Sequence, residues 1–235
     1  MNNQNSANKQ TYAGLFMVTL ATLMYEILLT RIFSVTMWYH FAFVAISIAM
    51  FGMTVGAIFV YLFPNYFTRE RVMYHLALSS LFFAISIVIS FLTHLSIPFN
   101  PIVIHKSIVW LYSIVLTYLV ISVPFIFSGI CVCLALTKFT GQVSKLYAAD
   151  LAGGAIGCIL LIYMLDITDG PTGVIVVAFF ASIGAVFFAS ATDLYKLRRI
   201  ALNMVPLICL LCRCQYSPGS QAVFFAPVDM GKGKF

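Results

Sequence analysis

Charge is what this chain has least of. Only 9% of its 235 residues are charged, against roughly 25% in a typical soluble domain. The acidic residues are Glu26, Glu70, Asp150, Asp166, Asp169, Asp193 and Asp229. No two of them form an obvious pair on a donor-binding scaffold, and acid–base work on an amine needs carboxylates positioned beside a bound donor. Metal-ligand spacing is equally thin. The four histidines are dispersed, with no H-x-x-x-H or H-E-x-x-H pair. Cys209, Cys212 and Cys214 form C-x-x-C-x-C at the end of an apolar stretch, with no histidine or fourth thiol nearby, so no metal site is expected. Cys131, Cys133 and Cys158 fall inside apolar runs, where cysteine behaves as a small apolar residue. The basic residues are scattered among loops rather than gathered on one face, which argues against nucleic-acid binding.

What is present is apolar. Hydrophobic residues make up 62% of the chain. One core cannot hide that much apolar surface in a chain of this length. The remaining solvent is lipid, so the sequence reads as a polytopic all-α transmembrane bundle. A β-barrel would alternate apolar and polar residues, and these runs are apolar on every side. Six spans are expected: Tyr12–Phe33, Trp38–Phe63, Val72–Leu95, Lys106–Leu136, Tyr147–Leu165 and Pro171–Ala191. Each is near or above the ~20 residues that cross a hydrocarbon core. The fourth is long, and is expected to tilt or to kink at Pro124, whose ring removes a backbone hydrogen bond. A seventh run, Ile200–Cys212, is short and contains Pro206. It reads as a re-entrant or interfacial segment, or as the start of a span. The organisation is thus a polar tail over 1–11, a bundle over 12–199, and a short apolar segment with a polar tail over 200–235. The tail before Tyr12 is polar, and the run behind it exceeds the ~7–15 residues of a signal-peptide core, so it is taken as the first span.

Lysine and arginine give the orientation. With the N-terminus inside, Lys9, Arg69, Arg71, Lys138, Lys145, Lys196, Arg198 and Arg199 are cytoplasmic, and only Arg31 and Lys106 lie outside. The expected location is a bacterial inner membrane with a cytoplasmic N-terminus.

Two spans carry small residues at helical spacing. Ala45, Ala49, Gly52 and Gly56 share a face of the second span; Ala149, Gly153 and Gly157 share a face of the fifth. Small residues let helix backbones approach in lipid. They read as ordinary tight packing, or as the matching middle helices of two inverted three-helix halves, as in many transporters. They also admit a homo-oligomer.

Glu26 and Arg31 interrupt the first span. Five residues apart on a helix, they are separated by about 140° and do not face each other. Arg31 can snorkel to the outer interface. Glu26 sits past mid-span, where a lone carboxylate is expensive and should face the bundle or a wet cavity. It is either a protonated interhelical hydrogen-bonding group or a substrate or proton site. Asp150, at the start of the fifth span, suits the positive end of a helix, so capping is its expected job.

"YEILLTRIFSVTMWYHFAFVAISIAMFGMTVGA" (25–57), "YAADLAGGAIG" (147–157) and "DGPTG" (169–173) together resemble the membrane region of bacterial spermidine synthase-like proteins. The pattern E-x-x-L-T-R-x-F-S falls on Glu26, Leu29, Thr30, Arg31, Phe33 and Ser34. The pattern Y-x-x-D-L-x-G-x-x-x-G falls on Tyr147, Asp150, Leu151, Gly153 and Gly157. The resemblance covers roughly residues 12–191. It implies a membrane domain joined to a cytoplasmic transferase domain that binds an S-adenosylmethionine-type donor. The tail after Arg199 has no Gly-rich turn after a strand, so no cofactor is expected in the chain itself and it reads as a fragment. The expected role is to anchor, or handle substrate for, that transferase domain. The alternative is a small transporter of cationic or amphipathic metabolites, with Glu26, Arg31, Tyr147 and Asp150 as candidate site residues.

Overall fold

A computed structural model describes residues 8–36, 41–68, 71–96 and 108–191, with isolated positions 199 and 202. Every regular element among them is helical. The order is α1 (Lys9–Thr36), α2 (Phe41–Leu62), α3 (Val72–Ser96), α4 (Ile108–Lys138), α5 (Val143–Ile167) and α6 (Gly170–Ser190), with one 3-10 turn, Thr140–Gln142, before α5. All six helices are long and apolar enough to span a membrane. Apart from Leu202, the seventh run, Ile200–Cys212, lies outside the described residues.

The ends differ from the sequence reading in two informative places. Helix α5 starts at Val143, not Tyr147, so Asp150 lies in its third turn. It is not a cap, because the first turn that needs capping is already complete before it. Helix α4 runs unbroken through Pro124. The proline removes the N–H that would bond the Val120 carbonyl one turn earlier. The Ser90 hydroxyl of α3 donates to that carbonyl instead, at 2.9 Å.

Helix α1 packs along α5 and α6, α4 packs along α2 and α3, and α3 packs along α6. The outer helices α2 and α5 turn Phe43, Met50, Phe51 and Phe59, and Leu151, Ile156, Ile159 and Ile162, outward. A bundle in lipid has no hydrophobic drive to hide these side chains, so they suit the acyl phase.

The small residues mark where backbones meet. A methyl group on Gly52 would come within 2.8 Å of the Ser122 carbonyl oxygen, and one on Gly56 would meet that of Ile126. On the other pair of helices, a methyl group on Gly153 would lie 2.5 Å from the Phe16 carbonyl oxygen, and one on Gly157 2.6 Å from that of Leu20. These faces are therefore consumed within the chain. Ala45 and Ala49 are buried with their glycines, whereas Ala149 is only half-buried.

The two sets of contacts are the same set. Adding 106 to a position on α1 gives its counterpart on α4, adding 101 carries α2 to α5, and adding 94 carries α3 to α6. Phe16–Gly153 thus corresponds to Ser122–Gly52, and Leu20–Gly157 to Ile126–Gly56. Leu23, which meets Gly154, corresponds to Gly129, which meets Met53. Gly184 lies against the Gly14 carbonyl where Ser90 lies against the Val120 carbonyl. The hydrogen bond between Thr22 and Ser128, 2.6 Å long and fully buried, maps onto itself. It marks the axis relating α1–α2–α3 to α4–α5–α6. Three spans per half make the halves opposite in direction, so this is an inverted repeat.

Candidate functional site

Buried polar groups lie at the axis and along the length of α3. Thr22 and Ser128 satisfy each other across α1 and α4. One turn along α1, the Tyr25 ring packs on Phe125 with centroids 5.4 Å apart. Its hydroxyl faces Ser90 but falls outside hydrogen-bond geometry. The Ser80 hydroxyl, His75 Nε2 and His94 Nδ1 are likewise buried, with no hydrogen-bond partner among the described residues. Phe33 stacks at a tilt on His94, with centroids 5.3 Å apart. The unpaired groups matter, because a polar atom without a partner is costly in a low-dielectric interior.

Helices α4 and α5 both pack on α1 but meet each other over only a short stretch, and the side of α1 left between them, a groove, is a second feature. Thr22 points to α4, through Ser128, and Leu23 points to α5, against Gly154. Glu26 is one turn on from both, so it projects between α4 and α5. It is half-buried, and it bonds to no other described residue. Asp150 sits on the same groove. Its backbone carbonyl accepts a hydrogen bond from Thr19 of α1 at 3.2 Å, and it lies one turn before Gly153 and Gly154, which face α1.

Glu26 and Asp150 share the groove but not a depth. The contacts Phe16–Gly153 and Leu20–Gly157 set the parallel register of α1 and α5. They put Asp150 level with residue 13 of α1, so Glu26 lies thirteen residues further along, or about 20 Å at 1.5 Å per residue. Along α1, one carboxylate lies on each side of the Thr22–Ser128 axis. The counterpart groove between α4, α1 and α2 has Val132 in place of Glu26 and Ala49 in place of Asp150. Only one of the two grooves is acidic.

Arg31 is exposed at the end of α1, and it does not pair with Glu26. Tyr147 is 52% exposed on α5. Neither joins the groove carboxylates in one pocket. The sequence reading missed Thr22, Tyr25, Ser90, His94 and Ser128. Hydroxyls inside apolar runs were the available signal, but most such hydroxyls bond their own helix, as Thr54 does to the Met50 carbonyl. No group of three or more His, Cys, Asp or Glu able to hold a metal occurs among the described residues. Comparison with family models, with curated proteins and with solved structures finds no match.

Proposed function

We propose that the bundle binds a small organic cation in the α1–α4–α5 groove and passes it through the membrane. The observation that carries this reading is the inverted repeat with carboxylates at two depths of one groove and none in its counterpart. Inverted three-helix halves are a common transporter plan, with substrate sites at the repeat interface. An intramembrane carboxylate is by default a functional group rather than filler. A cation supplies the charge that Glu26 and Asp150 lack.

The resemblance to spermidine synthase-like membrane regions suggests the class of cation, a polyamine. In that reading the N-terminus is cytoplasmic, the membrane is a bacterial inner membrane, and any S-adenosylmethionine-type donor belongs to a cytoplasmic transferase domain. The bundle handles the amine, and a pure anchor would have no use for Glu26.

The test is uptake of radiolabelled spermidine and putrescine by proteoliposomes containing the purified chain. Uptake above that of empty liposomes, lost in Glu26→Gln and Asp150→Asn, is expected. Stable, correctly inserted protein with no uptake of either amine refutes transport and leaves the anchor reading.

A further inference from the structure

The inverted repeat is not perfectly obeyed, and the departure has a direction. Helix α2 packs along both α4 and α1, but its counterpart α5 packs along α1 and meets α4 over a much shorter stretch. Ala49 of α2 is fully buried, while its counterpart Asp150 is half-buried at the side of the acidic groove. Val44 and its counterpart Lys145 differ in the same sense, half-buried against exposed.

We propose that this is one of two alternating states, and that Asp150 couples the exchange to cation loading. Here the α4–α5 groove is open and the α1–α2 groove is shut. In the second state the halves trade packings: α5 closes on α4 as α2 now closes on α1, and α2 releases. An exact two-fold would make the two packings equal in energy, so the swap needs no new contact type. Asp150 breaks that equality. Closing α5 takes its carboxylate to the environment Ala49 now occupies. Burying an unpaired charge is prohibitive, and burying one neutralised by a bound cation is not. The empty bundle therefore stays open on the acidic side, and a bound organic cation permits closure. The inference deepens the transport reading and rests on it for the identity of the cation.

The experiment uses the full chain, with its six native cysteines replaced, in proteoliposomes exposed on both sides to a charged, membrane-impermeant thiol reagent. Gly154→Cys reports the α4–α5 groove and Ala49→Cys reports the α1–α2 groove, each in a separate protein. Without amine, Gly154→Cys should react at least tenfold faster than Ala49→Cys. Spermidine should slow the first and speed the second. Asp150→Asn should produce that same reciprocal shift with no amine present, because an amide carries no charge to bury.

If Asp150→Asn leaves both rates unchanged, or if the two sites change in the same direction, the device is wrong. Either reporter alone suffices should the other protein fail to fold, since Asp150→Asn must move each one in a stated direction. The Asp150→Asn shift needs no amine, so it survives a failure of the transport reading. Amine flux without reciprocal reactivity sinks the device and spares transport.

Discussion

The Ser90–Pro124 pair offers a sharp test of how the bundle is held. Pro124 leaves the Val120 carbonyl without its helical N–H, and the Ser90 hydroxyl, which is 2% exposed, fills the vacancy at 2.9 Å. Removing Ser90 should strand a carbonyl inside the membrane. A buried acceptor left unpaired costs about 1–3 kcal/mol, and we expect Ser90→Ala to lie in that range. Pro124→Ala restores the N–H to α4 itself, so Val120 no longer needs a partner on α3. In that background Ser90→Ala should cost little, within about 0.5 kcal/mol. The expected coupling is therefore about 1–2 kcal/mol, a factor of roughly 5–30 in the unfolding equilibrium. The Tyr25 hydroxyl faces the same spot and is a reserve donor, so the cycle is run in Tyr25→Phe protein as well. The assay is reversible unfolding in lipid bicelles for the four variants of each cycle. Equal costs of Ser90→Ala with and without Pro124, in both backgrounds, refute the reasoning.

Gly56→Ala and Gly157→Ala, as counterparts at carbonyl contacts, should destabilise by similar amounts, about 1–3 kcal/mol from overpacking; Gly154→Ala, whose methyl group would find Leu23 at a comfortable 3.5 Å, should be harmless in the same melting assay. A harmless Gly157→Ala would mean α1 and α5 do not touch there. Because Glu26 bonds to no other described residue, Glu26→Leu should melt no more than about 0.5 kcal/mol below wild type, and a loss several times larger would reveal a partner on another helix. A periplasm-specific reporter fused at Asp169 should be active and one fused at Arg199 silent; the opposite pattern overturns the orientation.

The sequence by itself determined the class of fold and the number of described spans. Runs of twenty or more apolar residues admit few outcomes, because every backbone polar group in lipid must be satisfied within the segment. It also marked the faces of α2 and α5 that carry Gly52, Gly56, Gly153 and Gly157, since a helix fixes which residues share a side. It misplaced the start of α5, and with it Asp150. The stretch Ser144-Lys-Leu-Tyr-Ala-Ala-Asp150 is a good helix sequence whose polar residues hid it from a search for apolar runs.

Only the tertiary structure decided which helix each glycine face meets. Periodicity names a face, but it carries no information about the partner across it. The pairing of α5 with α1 and of α2 with α4, the bond between Thr22 and Ser128 on the axis, and Ser90 beneath the gap left by Pro124 all join residues far apart in the chain. The two halves show little likeness in sequence because counterpart positions need only equal space and satisfied polar groups. Leu23 against Gly154 does the work of Gly129 against Met53, with the large and small partners exchanged. Gly184 suffices where Ser90 is needed, because the Gly14 carbonyl has Val18 to donate to it and the Val120 carbonyl has only a proline.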